Sequence, residues 1–535
     1  MTDREPRAPG LLRSSAVVGA MTMLSRVLGL VRDVILAAVL GASASADAFF
    51  IAFKIPNFLR RLFAEGAFSQ AFVPVLAEHR EAGGLAAVRV LVDRVAGVLG
   101  GVLLAVTLLT LVAAPLVAAL FAPGYVVQAE KFALTTDLIR ITFPYLMLIS
   151  LTGMCGAVLN SYGRFAVPAF TPVLLNVCLI SAALLAAPRF AEPVFALAWG
   201  VLAAGLVQLL FQLPFLYRLD LVPRPRWDTR DAGVHQVMTL MVPALFGVSV
   251  SQLNLLLDTV LASFLPTGSV SWLYYSDRLT ELPLGVFAIA VATVIMPTLS
   301  AHNAAARRDD YTQTLDWAVR SVLLVGVPAA LALIVLAEPI LITLFHYGAL
   351  TERDIAMAAL SLRAYSLGLC AFMLVKVLAP GYYARKDMRT PVRIGIRAMV
   401  ANMIMNLVFV AALMATVGAG HVGLALATSL SAFLNAGLLW RGLLRDGTYR
   451  FAPCWRRFSL RLALACAVMV GGLLLALPER DALLTLAAPD RGLWMLGLCV
   501  LGLTLFVAAL FVLGMRPRDL RAPVPVKSRT VAPDA

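Results

Sequence analysis

Charged residues are scarce in this chain of 535 residues: 14% are Asp, Glu, Lys or Arg, whereas 61% are hydrophobic. A soluble chain is about 25% charged and about 45–50% apolar, so there is too little polar surface for several water-soluble domains. The apolar residues form runs of about 20, which is long enough for a helix to span the roughly 30 Å hydrocarbon core of a bilayer. The composition excludes soluble enzymes, disordered proteins and collagen-like proteins. It predicts a polytopic all-α membrane protein.

Motifs for metal binding and hydrolysis are also missing. The six cysteines form no C-x-x-C pair, which disfavours a zinc site and a disulfide framework. The chain contains no G-x-x-x-x-G-K-[ST] and no H-E-x-x-H, and its five histidines lie in or near predicted loops. A membrane glycosyltransferase or lipid phosphatase would need a carboxylate pair or a metal-binding loop at the membrane face. We therefore expect a protein that is not an enzyme and requires no cofactor.

Apolar runs between charged or Pro/Gly breaks predict fourteen transmembrane helices. Their predicted limits are 14–40, 47–77, 95–121, 135–160, 167–187, 193–216, 236–264, 270–299, 317–345, 355–383, 392–415, 421–444, 459–477 and 492–514. Thirty Lys and Arg residues lie in the N-terminus, the even-numbered connections and the C-terminal tail, but only five lie in the odd-numbered connections. By the positive-inside rule, both termini are predicted to be cytoplasmic.

A repeat of about 220 residues divides the chain. Residues 114–121 match residues 338–345 at an offset of 224, and Pro74 matches Pro297 at an offset of 223. Each copy holds an even number of spans, so both copies start on the same side, as in transporters built from parallel repeats. We predict two pseudo-symmetric six-helix bundles and two additional transmembrane helices, followed by a basic, disordered cytoplasmic tail. The predicted domain limits are 1–220, 221–450, 451–515 and 516–535.

Three predicted spans carry ionisable residues inside the membrane. They are the first, second and eighth spans, with Arg26, Arg32 and Asp33, then Asp47, Lys54, Arg60, Arg61 and Glu65, and then Asp277, Arg278 and Glu281. A charge near the bilayer centre costs at least ~2.5–3.5 kcal/mol, so these residues are expected to face a wet interior or to pair with one another. Ion pairing within the protein is the weakest explanation for four of these residues, the arginines at positions 26, 32, 60 and 278. The arginine fork suits phosphate oxygens and stays charged when buried, so these residues predict a cavity for a di-anionic phosphate headgroup.

Helical spacing leaves one choice open within the second span. Asp47, Lys54 and Arg61 lie seven residues apart on one stripe, and Arg60 lies about 100° away from it. Pro56 can kink this helix, so spacing alone does not decide between Arg60 and Arg61.

The residues of these charged spans resemble a known family. Ser25–Asp33, Ala46–Phe50 and Lys54–Pro74 resemble the bacterial MurJ (MviN) family closely, as do Gly268–Trp272, Tyr274–Tyr275, Asp277–Leu279 and Lys376–Gly381. The likeness covers all fourteen spans, is weaker in the last two, and is absent after Gly514. It implies a lipid II flippase of the multidrug/oligosaccharidyl-lipid/polysaccharide exporter superfamily. Such a protein moves an undecaprenyl-pyrophosphate-linked peptidoglycan precursor across the bacterial inner membrane.

The resemblance also implies roles for individual residues and partners. Arg26, Arg32 and Arg60 match cavity arginines near the headgroup, and Arg278 matches one from the second half, which favours Arg60 over Arg61. The other cavity or gate positions are matched by Asp33, Asp47, Lys54, Glu65 and Asp277. The last two spans match a groove for the isoprenoid tail. The implied partners are lipid II, membrane lipids and the cell-wall synthesis machinery, without nucleic acid.

A second candidate site would bind a cation. Asp258 lies in the seventh span, Asn402 and Asn406 are four residues apart on the eleventh, and Thr428 lies on the twelfth. One carboxylate with amide and hydroxyl oxygens suits a dehydrated Na⁺, and the resemblance includes members with a sodium site in the second half. The alternative interpretation is interhelical hydrogen bonding. Coupling to Na⁺ or protons, together with the membrane potential, is therefore an expectation of the resemblance.

The predicted mechanism is alternating access, in which an inward-open cavity admits the headgroup and the arginines bind its pyrophosphate. An inside-negative potential favours outward movement of negative charge by about 2.3 kcal/mol per charge per 100 mV. Two alternatives remain open: a flippase for another polyprenyl-linked glycan, and a cation-coupled drug exporter of the same superfamily. The exporter would prefer acidic and aromatic residues in its cavity.

Overall fold

The computed structural model describes residues 11–61 and 68–516. It is about 85% helical, and no strand occurs among the described residues. The predicted all-α fold class is therefore confirmed. The predicted gate residue Glu65 and the predicted tail after Arg516 lie outside the described residues.

Twenty α-helices follow one another in the described part of the chain, some joined by short 3-10 or π turns. The first ten are α1 (Leu11–Leu40), α2 (Ala44–Arg60), α3 (Ser69–Val112), α4 (Ala114–Phe121), α5 (Ala129–Thr142), α6 (Tyr145–Ser161), α7 (Ala166–Ser181), α8 (Pro193–Tyr217), α9 (Ala232–Ala262) and α10 (Ser269–Pro283). The second ten are α11 (Ile289–Ala304), α12 (Arg308–Val335), α13 (Ala337–Phe345), α14 (Glu352–Leu378), α15 (Pro380–Tyr383), α16 (Arg389–Val417), α17 (Gly420–Arg445), α18 (Trp455–Ala476), α19 (Arg480–Thr485) and α20 (Ala488–Val512).

The chain packs as two compact units. The first contains the residues up to Tyr274 together with Phe345–Asp354, and the second contains Tyr275–Leu344 together with the residues from Ile355 onward. The first unit has a core between α3, α6, α8 and α9, and the second has cores around α12, α14 and α17 and around α12, α18 and α20. The domain limits drawn from the sequence repeat stay a prediction.

Eleven helical stretches in the described part of the chain are long and apolar enough to cross a membrane. They coincide with the third to sixth and the eighth to fourteenth predicted spans. Helices α1 and α9 occupy the first and seventh predicted spans, and the described residues of the second predicted span lie in α2 and the start of α3. A multi-pass membrane protein is thus confirmed, whereas the count of fourteen spans stays a prediction.

In the contacts described next, odd-numbered connections touch odd-numbered ones and even-numbered connections touch even-numbered ones. On the odd-numbered side, the Gly124 backbone N–H donates to the Ser263 hydroxyl (3.0 Å), and the Ala349 N–H donates to the Ala38 carbonyl (2.9 Å). On the even-numbered side of the first unit, the Arg226 N–H donates to the Asp93 carbonyl (3.0 Å). These contacts agree with the basic-residue pattern, which places the odd-numbered and the even-numbered connections on opposite sides of the membrane. The assignment of the even-numbered side to the cytoplasm stays a prediction.

Helix α3 differs from the predicted loop between the second and third spans. It runs through this segment as helix, interrupted only by Gly84, whose φ of 60° turns the chain. Val88, Leu91 and Val92 lie on one face after that turn and are buried in the core. The charged residues of this segment predict a break between two spans, but the buried face of the amphipathic segment continues the helix.

The repeat is visible in the local backbone. Ala113 separates α3 from α4 with φ −88° and ψ 15°, and Leu336 separates α12 from α13 with φ −92° and ψ 10°. The two residues are 223 positions apart, within the offset of the sequence repeat. Each copy therefore breaks its third span at the same place.

Candidate substrate-binding site

Arg32 on α1 lies in a closed hydrogen-bond network. Its guanidinium donates to Asp33 Oδ1 through Nε (2.9 Å) and Nη2 (2.7 Å), and to Asn176 Oδ1 on α7 through Nη1 (3.0 Å). Nη2 also donates to the Tyr274 hydroxyl on α10 (3.1 Å), which donates to Asp33 Oδ1 (2.9 Å). Arg32 is 6% exposed and Asp33 is 1% exposed. This buried pair is fully compensated, and removing either partner would leave an unpaired charge.

The same network fixes three helices against α1. The Asn176 amide donates to the Ser25 carbonyl (2.9 Å), which sets the position of α7 along α1. The Tyr274 ring stacks on Phe50 of α2 with the ring centroids 4.1 Å apart. Arg32 therefore acts as a packing centre in the first unit.

Asp47 is the second buried centre. Ser43 caps the N-terminus of α2: its hydroxyl accepts from the Ala46 N–H (3.1 Å), and Asp47 lies in the first turn. The Asp47 carboxylate accepts from the Gly268 N–H (2.8 Å), from the Ser271 N–H (3.0 Å) and from the Ser271 hydroxyl (2.7 Å). It therefore caps α10, where a negative charge is favoured by the helix dipole.

A lysine completes the Asp47 centre. Lys131 of α5 lies 3.0 Å from Asp47 Oδ2, and its ammonium is 4.2 Å from the ring centroid of Tyr125. Burial, followed by the charge of Asp47, raises the pKa of Tyr125 above its ordinary value, so this phenol stays neutral. The N-termini of α2, α5 and α10 are thus joined at one point on the odd-numbered side.

Close backbone contacts surround this point. Trp272 Nε1 donates to Asp354 Oδ1 (2.9 Å), next to the backbone hydrogen bond between Ala349 and Ala38. Gly348 has a φ of 59°, and a Cβ on it would overlap the Ala38 carbonyl. The odd-numbered side of the first unit is therefore closed by side-chain and backbone contacts together.

The other predicted site residues of the first unit are less buried. Arg26 is half-buried on α1, and no hydrogen bond or ion pair joins it to another residue of the described part of the chain. Lys54 and Arg60 are half-buried on α2, and Arg60 Nε donates to Asn57 Oδ1 (3.4 Å). Arg61 is exposed. The structure thus separates the buried Arg32 from the more accessible Arg26 and Arg60.

Arg278 and Asp277 lie in the second unit, on α10. Arg278 Nη1 is 2.9 Å from Glu281 Oε2, one helical turn away, with 32% of the Arg278 side chain and 40% of the Glu281 side chain exposed. An ion pair with this exposure contributes little to stability.

The residues of the predicted sodium site fall in both units. Asp258 is half-buried on α9 in the first unit. In the second unit, Asn402 and Asn406 of α16 are fully buried, with Asn406 Nδ2 donating to Asn402 Oδ1 (3.0 Å) and Asn402 Nδ2 donating to the Ser431 hydroxyl on α17 (3.4 Å). The Thr428 hydroxyl donates to the Leu424 carbonyl (2.9 Å). The side-chain oxygens of these four residues are chemically suited as ligands for Na⁺. The contact between Asn402 and Ser431 is also an interhelical hydrogen bond.

Four residues of the two buried centres were missed as site residues by sequence reasoning: Asn176, Tyr274, Lys131 and Ser271. Lys131 carried a signal, because it is one of only five basic residues in the odd-numbered connections. Asn176 is a polar residue within an apolar run. Its partner Arg32 is 144 positions away, and no local pattern predicts that contact.

Comparison with protein families and with curated proteins gives one consistent result. The family model described as "Lipid II flippase MurJ" matches residues 36–483. The chain is 51% identical over 519 residues to the probable lipid II flippase MurJ of Vibrio cholerae serotype O1, covering 96% of this chain and 98% of that protein. It is 42% identical over 511 residues to the lipid II flippase MurJ of Burkholderia cenocepacia, covering 95% and 98%.

Solved structures give the same answer for the fold. A lipid II flippase MurJ in an inward closed conformation matches with a TM-score of 0.77 and 26% identity, covering 94% of this chain and 99% of that chain. An inward-facing multidrug resistance MATE family transporter of the MOP superfamily matches with a TM-score of 0.63 and 15% identity, covering 81% and 98%. The second likeness concerns the fold alone.

Proposed function

Because this chain belongs to the lipid II flippase MurJ family, we propose that it transports lipid II by binding the pyrophosphate of the headgroup with arginines. The family consists of membrane transporters and not of enzymes. Lipid II is a peptidoglycan precursor, so the biological process is cell-wall synthesis at the bacterial inner membrane.

Arg26, Arg60 and Arg278 are the proposed pyrophosphate ligands. The observation that carries this assignment is Arg26: it is half-buried in a helix at a predicted membrane span, with no carboxylate partner in the described residues. A charge in that position needs water or an anion, and a guanidinium binds phosphate oxygens through two parallel hydrogen bonds. We assign Arg32 a positioning role instead, because its Nε, Nη1 and Nη2 groups donate to Asp33, Asn176 and Tyr274.

Transport by alternating access requires the odd-numbered side to open. In this structure that side of the first unit is held by Asp47, Lys131 and the Ala38–Ala349 hydrogen bond. We propose that these contacts form the gate on the periplasmic side, and that release of the headgroup breaks them. The membrane potential favours the movement, by about 2.3 kcal/mol per negative charge per 100 mV.

Complementation tests the assignment. A strain depleted of its own flippase receives this chain or a variant, and growth is measured along with the membrane level of the protein. Arg26→Ala and Arg60→Ala are expected to abolish growth, while Arg61→Ala serves as the matched control because it removes the same charge from the neighbouring, exposed position. Growth of the Arg26→Ala strain at normal protein level would overturn the proposed ligand set.

A reconstituted assay separates the substrates. Liposomes containing the full chain and fluorescent lipid II report movement between leaflets, and a second polyprenyl-pyrophosphate-linked glycan is measured in parallel. We expect faster movement of lipid II. Equal rates for both lipids would favour a flippase of broader substrate range.

Cation coupling by Asp258, Asn402, Asn406 and Thr428 is a separate proposal. Its support is chemical, because these side chains offer one carboxylate with amide and hydroxyl oxygens. Flipping in liposomes is expected to be faster in a Na⁺ gradient than in a K⁺ gradient, and Asp258→Asn should remove that difference. A proton gradient is imposed as a further condition, because a rate that follows protons and ignores Na⁺ would contradict the sodium assignment.

A further inference from the structure

A basic cavity lies in the second unit, and none of the predicted site residues is among its lining residues. Its volume is about 270 Å³, and it is formed where α12, the start of α18 and the chain just after α20 meet. Its walls are Trp317, Arg320 and Ser321, with Cys454, Arg457, Phe458, Arg461 and Met515. All these residues belong to connections or helix ends that the basic-residue pattern predicts to be cytoplasmic.

The cavity holds an excess of positive charge. Arg457 and Arg461 are four residues apart and share one face of α18, where like charges repel. Neither makes an ion pair with a residue of the described part of the chain. A Cβ on Gly514 would lie 3.4 Å from Arg461 Nη2, so this guanidinium rests against the turn that ends α20.

The nearby carboxylate does not neutralise this excess. Asp316 Oδ1 accepts from the Tyr449 hydroxyl (2.8 Å) and from Trp455 Nε1 (2.6 Å), and Oδ2 lies 2.8 Å from Arg320 Nε. Asp316 is 3% exposed and therefore committed to these three partners. With Arg320 balanced by Asp316, Arg457 and Arg461 have no counter-charge among the residues that the structure describes.

The surroundings are those of a membrane interface. Trp317 lines the cavity, and Trp455 packs in an aromatic cluster with Trp440, Tyr449 and Phe451. Tryptophan and tyrosine concentrate at the level of lipid headgroups. Phe458 and Met515 form an apolar wall of the cavity, and Leu460 and Leu464 on the next turns of α18 are exposed. The site therefore offers guanidinium groups beside apolar surface, which suits an amphiphile.

The chain's own C-terminal segment is a poor occupant. Residues 517–535 contain four basic and two acidic side chains, so their net charge has the same sign as the cavity. Charge complementarity therefore points to an anion from outside the chain. Anionic phospholipids of the cytoplasmic leaflet attract basic residues at that surface.

We propose that this cavity binds the phosphate of an anionic glycerophospholipid of the cytoplasmic leaflet. Arg457 and Arg461 hold the phosphate, and the acyl chains follow the apolar surface of α18. The bound lipid joins the α18–α20 pair to α12, where Leu462 and Phe458 pack with Leu324 and Val327. The site shares no residue with the arginines of the proposed flippase cavity.

Cys454 provides the readout, because it is exposed on the cavity wall. The full chain is placed in nanodiscs of phosphatidylcholine, alone or with added phosphatidylglycerol, and labelling of Cys454 by an uncharged maleimide is followed by mass spectrometry. We expect phosphatidylglycerol to slow the labelling. In Arg457→Gln/Arg461→Gln the concentration needed for protection should rise about tenfold or more, the change expected from losing one strong contact.

Arg456→Gln is the matched control, since it removes one arginine from an exposed position next to the cavity without changing its walls. Protection that survives in Arg456→Gln and is lost in the double variant supports the proposal. Equal loss in both would mean general surface attraction and would overturn it. Protection by inorganic phosphate in pure phosphatidylcholine, equal to that by the lipid, would assign the cavity to a free anion and would also overturn it. Thermal unfolding in phosphatidylcholine checks that the double variant is folded.

Discussion

The Asp47 carboxylate lies 3.0 Å from the Lys131 ammonium, and these side chains are 1% and 5% exposed. The same carboxylate accepts three hydrogen bonds from the start of α10. One acidic side chain thus joins α2 and α5 to a helix more than 220 residues away in the chain. The contact between these three helices on the odd-numbered side depends on its charge.

Asp47→Asn is expected to lower the stability of the protein strongly. The amide leaves the buried Lys131 ammonium without its counter-charge, which costs ~3–5 kcal/mol in comparable buried pairs. Thermal unfolding in detergent measures the loss. The double variant Asp47→Asn/Lys131→Met should recover part of it, because it leaves no unpaired charge.

The Asp137–Arg140 pair on α5 is the control for Asp47. Its atoms are 2.9 Å apart, a separation similar to that of the Asp47 pair, but the side chains are about half exposed, so Asp137→Asn should cost at most ~1 kcal/mol. If both Asp variants unfolded at the same temperature as the wild type, Asp47 would not be a structural centre.

A disulfide across the closed side should stop transport. Ala38 and Ala349 are joined by a backbone hydrogen bond of 2.9 Å. Cysteines at these two positions are therefore expected to form a disulfide when an oxidant is added. We expect lipid II movement in liposomes to cease on oxidation of Ala38→Cys/Ala349→Cys and to return on reduction. Each single-cysteine variant, treated in the same way, controls for oxidation elsewhere. Full transport by the oxidised double variant would show that this side does not need to open.

Substitutions of Arg32 and Arg26 are expected to change different properties. Arg32→Ala should lower the stability of the protein, and Arg26→Ala should abolish its transport activity. Arg32→Ala removes the partner of Asp33, which is 1% exposed, so the melting temperature should fall by an amount corresponding to ~3–5 kcal/mol. Arg26→Ala breaks no hydrogen bond or ion pair with a described residue and should leave the melting temperature nearly unchanged while abolishing lipid II movement. Both variants are measured by thermal unfolding and by the liposome assay. The assignment is wrong if Arg26→Ala unfolds like Arg32→Ala.

Arg26 and Arg32 illustrate which features of the structure can be predicted from the sequence alone. The apolar runs predicted where the helices lie, because a span needs about 20 apolar residues whatever its neighbours are. The charges predicted that α1 carries functional or paired groups. Spacing did not predict that Arg32 binds Asp33, because adjacent residues on a helix point in directions about 100° apart and ordinarily do not face each other.

The buried centres depend on distant parts of the chain. Asn176 and Tyr274 approach Arg32 from 144 and 242 positions away, and a single sequence carries no periodic signal for such contacts. The segment after Gly84 was misjudged for a related reason. Its charges suggested a loop, but Leu91 and Val92 are buried in the core of the first unit, and that burial stabilises a helix.

Close backbone approach at Gly348 gives the last prediction. A Cβ at this position would overlap the Ala38 carbonyl, and its φ is 59°, whereas Gly447 has a φ of 65° with no atom within 4 Å of the added carbon. Both alanine variants therefore carry a similar backbone strain, of about 1–2 kcal/mol, but only Gly348→Ala also separates the two segments of the closed side. Gly348→Ala should unfold at a clearly lower temperature than Gly447→Ala, and a cysteine at Ala38 should become more reactive to maleimide only in the Gly348→Ala background. Equal melting temperatures and equal reactivity would mean that the backbone contact between Gly348 and Ala38 does not hold the closed side together.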